Sequence, residues 1–258
     1  MMDFNERVIP GVTANFLYQE ALARYKFASD IVKKGFKVLD VGSGTGYGSY
    51  FIATSNKCFV YGVDINKEAM MFSRSHYKKR NIKFIISDVL SLPFKNKEMD
   101  VVISFEVIEH IKDYPRYLKE IKRVLKDNGK FILSTPNKTK TLKGNKSSYH
   151  VKEFGYEELN NELNTNFKTV KIFGQNKSPK AKNALREFMN SQKTRQRLVD
   201  TDIFQIRKIF PRGLKEYIWK YFGAFFGRGP QEQLNFRDFP ITKTFVKNAE
   251  YFVAICQK

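Results

Sequence analysis

Short apolar runs alternate with amphipathic stretches along the first two thirds of the chain. Five runs rich in β-branched and aromatic residues predict strands, namely VLDVG, FVYGVD, IKFIISD, MDVVISF and KFILSTP. Between them, Met70 to Lys79 and Pro115 to Leu125 have the spacing of helices. Because each run is nearly all apolar, we expect strands that helices cover on both faces. The alternation predicts an α/β fold with a parallel sheet.

The pattern upstream of the first strand is helical. Between Thr13 and Lys33, apolar residues recur at helical spacing, which predicts one or two helices that could close over a ligand. The residues at this spacing are Leu17, Ala21, Leu22, Tyr25 and Ala28. We expect this N-terminal helical lid to occupy residues 1–35.

Two further runs, FKTVKIFG and YFVAICQK, complete a Rossmann-like sheet of seven mostly parallel strands. The stretch between them contains several helix breakers, so we expect short helical pieces there. These breakers are Pro179, Pro211, Gly213, Gly227, Gly229 and Pro230. The chain leaves the sheet at its carboxyl edge, where ligands bind in open α/β folds, so this stretch is placed to cap the site. The predicted units are a core at 36–174, a basic helical cap at 175–240 and a last core strand at 241–258.

Positive charge is concentrated in the cap. The chain has 258 residues, with 46 Lys and Arg against 26 Asp and Glu, a formal net charge of +20. From Lys171 to Arg237 there are 15 basic residues and five acidic ones. This excess favours polyanions or anionic membrane surfaces, and it equally fits a lysine-rich solvated surface.

The same sequence indicates a cytoplasmic protein. No apolar run approaches the roughly 18 residues of a membrane span, so we expect no transmembrane segment. The N-terminus has no signal pattern, and the two cysteines, Cys58 and Cys256, lie far apart in apolar runs. We therefore expect a soluble protein in a reducing compartment, with both cysteines in the core.

The first predicted strand ends in a glycine-rich turn, read as VLDVGSGTGYG from Val38 to Gly48. Glycines at this point let the backbone turn tightly and approach a ligand, and a nucleotide-like cofactor is the expected occupant. A nicotinamide-binding turn would read G-x-G-x-x-G, but Tyr47 stands at its third glycine position. The observed spacing, G-x-G-x-G, indicates S-adenosylmethionine instead.

Aspartates close the first three predicted strands, at Asp40, Asp64 and Asp88. Asp64 lies about 20 residues beyond the glycines, where a carboxylate can accept hydrogen bonds from both ribose hydroxyls. Each aspartate alone could be a helix N-cap or a turn residue. Their common register at strand ends argues for a shared ligand.

With this turn and these aspartates, the chain resembles the class I S-adenosylmethionine-dependent methyltransferases from Val38 to Asn137. The resemblance implies that Asp40 lies near the methionine amino group and Asp64 on the ribose. It places Asp88 and Val89 at the adenine. The expected cofactor-binding residues are Arg24, Asp40, Gly42, Ser43, Gly44, Gly46, Tyr47, Asp64, Ile65, Asp88, Val89 and Phe105. The intact turn argues against a non-catalytic scaffold that only keeps the fold.

A second group of polar residues follows the fourth predicted strand. Glu106, Glu109 and His110 lie three and four residues apart, so on a helical turn all three project to one side. His150, in SSYHVKEF, could complete the group from a loop. The four side chains form a candidate metal site for Mg²⁺ or Mn²⁺, with Fe²⁺ and Zn²⁺ left open. Glu106, His110 and His150 are also the candidate catalytic residues, since either imidazole could act as the general base without a metal.

This Glu-x-x-Glu-His pattern resembles that of the ribose 2'-O-methyltransferases of small-RNA 3' ends and of the quinone-biosynthesis O-methyltransferases. The resemblance implies a divalent ion that grips neighbouring substrate oxygens. Such an ion would lower the pKa of an acceptor hydroxyl and orient it, so O-methylation of a vicinal diol is expected. Related methyltransferases also carry Glu-His here without a metal, with Glu capping a helix and His beside the cofactor.

The acceptor is predicted from a wider resemblance. ERVIPG, ARYKFA, STPNK, HVKEF and FGQ resemble methyltransferases associated with surface-glycan biosynthesis over residues 6–175, which favours a sugar, glycan or other small acceptor. RNA is the rival, because aromatic and basic residues interleave in the cap. The aromatic residues are Phe188, Phe204, Phe210, Tyr217, Trp219 and Tyr221. The alternative is a buried helix face, because Leu214, Ile218, Tyr221, Phe222 and Phe225 have helical spacing. The same helix, with Lys215, Lys220 and Arg228, could instead lie on a membrane.

Overall fold

The structure, a computed structural model, describes residues 8–141, 149–200 and 233–258. Within these ranges eight strands form one sheet in the order β3-β2-β1-β4-β5-β8-β6-β7. The strands are β1 (Lys37–Val41), β2 (Phe59–Asp64), β3 (Ile82–Ile86), β4 (Met99–Phe105), β5 (Leu125–Pro136), β6 (Thr169–Gln175), β7 (Ile241–Thr242) and β8 (Tyr251–Gln257).

The predicted parallel sheet is confirmed. The strands β1 to β5 pair in parallel, and β8 lies antiparallel between β5 and β6. The prediction of seven strands missed β7, which pairs with the end of β6 through Gly174 and Gln175. At two residues, β7 is too short to show the period of a strand in the sequence.

Helices flank the sheet. They are α1 (Asn15–Ser29), α2 (Tyr47–Asn56), α3 (Lys67–His76), α4 (Tyr114–Val124), α5 (Lys138–Thr141), α6 (Tyr156–Asn166) and α7 (Pro179–Asp200). The predictions for Thr13 to Lys33, Met70 to Lys79 and Pro115 to Leu125 correspond to α1, α3 and α4. Side chains cap four of them: Asn66, Asp113, Asn137 and Ser178 accept from the amides of Ala69, Arg116, Thr139 and Ala181 at 2.8, 3.2, 3.1 and 3.1 Å. Among the described helices, none combines the length and apolar character needed to cross a bilayer.

Both faces of the sheet are buried, as the apolar strands predicted. Leu39 and Val41 of β1 pack with residues of α4 and α6, whereas Val38 packs with residues of α1 and α2. This alternation follows from the opposite directions of successive strand side chains. Cys58 and Cys256 are free thiols buried in these two cores, which confirms the prediction for both.

The lid helix α1 and the first helix of the cap share a third core. Phe16 of α1 contacts Phe188 of α7, with ring centroids 5.4 Å apart. Leu234 and Phe239, near the end of the cap, complete this core with Phe16. Because of this packing, the lid and the described part of the cap contact each other directly at the carboxyl edge of the sheet.

The cap differs from the prediction at Pro179, its first predicted helix breaker. Pro179 begins the 22-residue helix α7 instead of interrupting a helix, because the first turn of a helix needs no proline N–H. The later breakers and most of the predicted aromatic and basic residues, from Phe204 to Arg228, lie outside the described residues. The four unit boundaries remain predictions.

Candidate functional site

The glycine turn connects β1 to α2 at the carboxyl edge of the sheet. The amides of Gly42 and Ser43 donate to the Val63 carbonyl oxygen at 2.8 and 2.9 Å, which fixes the turn against β2. Gly46 has φ of +81°, and a Cβ atom there would lie 2.7 Å from the ring of Phe84. Only glycine fits this conformation and this space. The buried Ser43 hydroxyl has no hydrogen-bond partner among the described residues.

Asp64 is held in a fixed orientation at the end of β2. One carboxylate oxygen accepts from the Gly44 amide and the other from the Asn66 amide, both at 2.9 Å. Beside it, Ile65 is 68% exposed and presents an apolar surface at this strand end. The carboxylate therefore joins the glycine turn to the next strand end.

The third aspartate lies at the same edge, in a turn. Asp88 is exposed, and its side chain accepts from the Leu90 amide at 2.9 Å. The neighbouring Val89 is buried in the core beneath this turn. The structure therefore brings the ends of β1, β2 and β3 together, as the register of the three aspartates indicated.

Asp40 is buried below the glycine turn. Its carboxylate accepts from the Ser49 hydroxyl at 2.5 Å and from the Tyr25 hydroxyl at 3.2 and 3.3 Å. Burial raises the pKa of Asp40 to about 7, although these two hydrogen bonds act to lower it. The Tyr25 ring also packs edge-on against Phe105 and Tyr47, with centroids 5.0 and 5.5 Å apart. Tyr25 thus connects the lid to the predicted cofactor residues.

Gly48 makes this contact possible, because an alanine Cβ atom there would lie 1.9 Å from Cζ of Tyr25. We expect Gly48→Ala to displace the Tyr25 ring and to lower the free energy of unfolding by about 1–3 kcal/mol. Chemical denaturation of the two proteins measures this difference. Gly155→Ala is the control. Its Cβ atom would meet open space, and the substitution would change only the N-cap residue of α6. An equal loss in both variants would contradict the steric explanation.

Arg24, on the lid helix α1, is buried. One terminal nitrogen donates to the Gln175 side-chain oxygen at 2.8 Å, and the guanidinium lies 4.9 Å from the ring centre of Tyr251. Its Nε atom has no hydrogen-bond partner among the described residues. Burial acts to lower the pKa of Arg24, but the charges of Glu106 and Glu20 outweigh it and the pKa is raised. A buried cation with an unused donor is a candidate partner for an anionic group.

Three of the four predicted metal ligands meet in space. One potential ligand atom from each of Glu109, His110 and His150 lies within 4.8 Å of the other two. Glu109 is fully buried: one of its oxygens accepts from the Thr135 hydroxyl at 3.1 Å, and Oε1 has no partner among the described residues. Burial, and then the charge of Glu106, raise the pKa of Glu109 well above its ordinary value.

Both imidazole rings in this cluster are oriented through Nδ1. His110 Nδ1 lies 3.1 Å from the Tyr149 carbonyl oxygen, and His150 Nδ1 lies 2.9 Å from a Glu153 carboxylate oxygen. The rings pack edge to face with centroids 5.0 Å apart. Histidines that bind metals are typically held in this way, through one ring nitrogen, while the other binds the ion.

Glu106 does not join the cluster. It lies before the short 3₁₀ turn Ile108–His110, with φ of +55°, so it does not share a helical face with Glu109 and His110. Its carboxylate accepts from the Ser134 hydroxyl at 2.6 Å. The spacing argument assumed a regular helical turn and therefore did not anticipate this separation.

Several residues of the site lie in motifs of the sequence but had no role assigned to them. Tyr25 lies in ARYKFA and has the spacing of an apolar helix face, which does not indicate its hydrogen bond to Asp40. Gln175 contacts Arg24 across 151 positions of the chain, and Glu153 was part of a motif without an assigned role. Only the fold brings these residues to the site.

The chain is similar to known methyltransferases. The family model described as "Methyltransferase domain" matches residues 32–200. A probable S-adenosylmethionine-dependent methyltransferase of Mycolicibacterium smegmatis is 31% identical over 164 residues, covering 62% of each protein. A protein of the same description from Mycobacterium tuberculosis is 33% identical over 129 residues, 49% of this chain and 46% of that protein. Phosphoethanolamine N-methyltransferase 1 of Zea mays is 31% identical over 49% of this chain and 26% of its own length. The chain thus spans less than two thirds of these relatives.

Solved structures share the fold. An S-adenosylmethionine-dependent methyltransferase of Thermotoga maritima has a TM-score of 0.58 at 16% identity, covering 95% of this chain and 91% of the other. Phosphoethanolamine N-methyltransferase 2 of Haemonchus contortus, solved with S-adenosylmethionine, has a TM-score of 0.55 at 17% identity, covering 93% of this chain and 52% of the other. At these identities the similarity shows the fold alone.

Proposed function

This chain belongs to the methyltransferase-domain family of class I S-adenosylmethionine-dependent methyltransferases, and on that premise we propose that it methylates a hydroxyl group of a sugar, a glycan or another small metabolite. The observation that carries this proposal is the cluster of Glu109, His110 and His150 beyond the end of β4. Such a cluster suits the activation of a hydroxyl oxygen, which needs help to lose its proton at neutral pH.

The cofactor has two charged groups on its methionine part, an ammonium and a carboxylate. Asp40 is the proposed partner of the ammonium, and the unused Nε of Arg24 is the proposed donor to the carboxylate. Asp64, oriented by two amides, is the proposed acceptor for the ribose hydroxyls. The opposite charges of Asp40 and Arg24 would fix the direction of the methionine part.

Ile65, Asp88 and Val89 are the proposed contacts of the adenine, since they lie at the ends of β2 and β3. The exposed side chain of Ile65 offers an apolar surface to the base. Ser43, with its unpartnered hydroxyl, and Phe105, against Tyr25, complete the proposed pocket.

The proposal includes a divalent metal at the cluster, and the residues fit one. Glu109 Oε1 is buried without a partner among the described residues, and Thr135 orients the same carboxylate through its other oxygen. When bound, a divalent ion such as Mn²⁺ or Mg²⁺ would lower the pKa of the acceptor hydroxyl. Glu109, His110 and His150 would hold this ion, with Glu109 buried and both imidazoles partly exposed, so that an acceptor could reach it.

Methyl transfer from radiolabelled S-adenosylmethionine tests the acceptor class. The probes are free hexoses and catechol as vicinal diols, phosphoethanolamine as an amine, and a short RNA. We expect transfer to a diol that stops with chelator and returns with Mn²⁺. Phosphoethanolamine is the acceptor in the names of several relatives. Transfer to phosphoethanolamine alone would overturn hydroxyl methylation. Transfer to RNA alone, with strongly salt-dependent binding, would instead make the basic cap the acceptor site.

A further inference from the structure

A network of charges ties α1 to the segment just after β6 and the segment just before β8. Lys177, just after β6, lies 2.8 Å from a Glu20 carboxylate oxygen and also pairs with Glu250, just before β8. The side chains of Lys177 and Glu20 are only 8% and 5% exposed. A buried lysine that bridges two carboxylates is a costly arrangement unless it is fully paired. Its place in the fold therefore needs an explanation.

Glu20 has a second possible partner on its own helix. Glu20 and Arg24 lie four residues apart on one helix face, the distance at which a glutamate and an arginine ordinarily pair. Glu20 pairs instead with Lys177, and Arg24 donates to the Gln175 side chain. The Gln175 amide in turn donates to the Glu20 carbonyl oxygen at 2.9 Å. The result is an arginine whose Nε is buried and has no partner among the described residues.

Removing Lys177 would change the partner of Arg24. Glu20 would then be a buried carboxylate without its ion-pair partner, an arrangement that is strongly destabilising. The nearest cation on its own helix is Arg24, which already feels the charge of Glu20. Turning toward Glu20 would draw the guanidinium away from its position beside Gln175 and Tyr251.

We propose that Lys177 is a positioning residue: by pairing with Glu20 it leaves Arg24 available for the carboxylate of S-adenosylmethionine. The inference rests on the proposed function, in which Arg24 holds that carboxylate. Lys177 acts through Glu20 and Arg24 and not on the reacting atoms. Since Lys177 begins the cap, this network also links the cap to cofactor binding.

Isothermal titration with two probes tests the proposal. S-Adenosylhomocysteine has the carboxylate, whereas methylthioadenosine lacks the whole amino-acid part. Lys177→Met is expected to weaken S-adenosylhomocysteine binding roughly 10- to 100-fold, as for the loss of a hydrogen bond to a charged group, and to leave methylthioadenosine binding unchanged. Lys177→Arg should keep the affinity. The matched control is Lys182→Met, at an exposed lysine of α7.

The decisive variant removes both charges. In Lys177→Met with Glu20→Gln, Arg24 has no buried carboxylate on its own helix to turn to, so the affinity should return toward that of the unchanged protein. If the double variant binds as weakly as Lys177→Met, or if methylthioadenosine binding falls equally, Lys177 has only a structural role. Should Lys177→Met not fold, Lys177→Gln replaces it in the same comparison.

Arg24→Met separates this inference from the proposed function. If that variant binds S-adenosylhomocysteine as well as the unchanged protein does, the assignment of Arg24 to the carboxylate fails, and the role of Lys177 fails with it. If Arg24→Met weakens binding but Lys177→Met does not, only the positioning role is overturned. An unchanged protein that binds neither probe would overturn the proposed function itself.

Discussion

Replacing Asp40 with asparagine is expected to weaken S-adenosylmethionine binding by between about 30-fold and several thousand-fold, the usual loss when one member of a buried charge pair is removed. Asparagine has nearly the same shape and can still accept from Ser49 and Tyr25. The loss therefore reports the negative charge that we assign to the cofactor ammonium. Calorimetric titration measures it.

The same substitution is expected to stabilise the free protein at high pH. Burial raises the pKa of Asp40 from 3.8 to about 7, so between these values the folded protein holds a proton that the unfolded chain has released. The free energy of unfolding therefore falls as pH rises through this window, by about 4 kcal/mol in total for a shift of this size. Above the pKa of the folded protein, the free energy of unfolding has fallen by this full amount. The asparagine side chain of Asp40→Asn cannot ionise, so the variant escapes the loss.

Denaturation of both proteins without cofactor, at about pH 5 and about pH 8, checks the direction in which the free energy of unfolding changes with pH. The advantage of Asp40→Asn should be larger at the higher pH. Asp30→Asn, at a side chain 66% exposed at the end of α1, is the control and should show no such trend. Equal pH dependence in Asp40→Asn and the unchanged protein would contradict the raised pKa. In the same pH window, cofactor binding to the unchanged protein should strengthen as Asp40 ionises.

The fold could be predicted from the sequence because its signals are local. Each predicted strand is a short apolar run, and helices such as α4 have a clear period, so a pattern such as MDVVISF identifies β4 without knowledge of its neighbours. The glycine turn is also local, since the φ of Gly46 is a property of one residue. The short strand β7 has no period of its own and depends on pairing with β6.

The site could be predicted only in part, because several of its contacts join residues that are far apart in the sequence. The spacing of Glu109 and His110 placed them together, and His150 was recognised from its motif. Glu106 has a left-handed conformation, and its amide donates to Ser134, 28 positions away, a contact that spacing along the chain does not encode. The network of Glu20, Arg24 and Lys177 depends on the docking of α1 against the ends of β6 and β8.

Replacing Glu109 with glutamine is expected to lower methyl transfer by roughly 10²- to 10⁴-fold while leaving cofactor affinity unchanged. Glutamine keeps the size of the side chain, and its amide oxygen can still accept from Thr135. The change removes the carboxyl group that would give up its proton to bind the ion, a carboxyl whose Oε1 has no partner among the described residues. The loss should therefore fall on the chemical step and on metal binding.

Mn²⁺ binding, followed by calorimetry, gives a readout independent of activity. The unchanged protein should bind Mn²⁺ and recover activity when the ion is returned after chelation, whereas Glu109→Gln should do neither. Glu157→Gln, at an exposed carboxylate on α6 that pairs with Lys247, should behave like the unchanged protein. If Glu109→Gln kept both its activity and its Mn²⁺ affinity, the buried carboxyl would be structural. His110 and His150 would then have to activate the acceptor without an ion, and the resemblance to the metal-dependent O-methyltransferases would end at the sequence pattern.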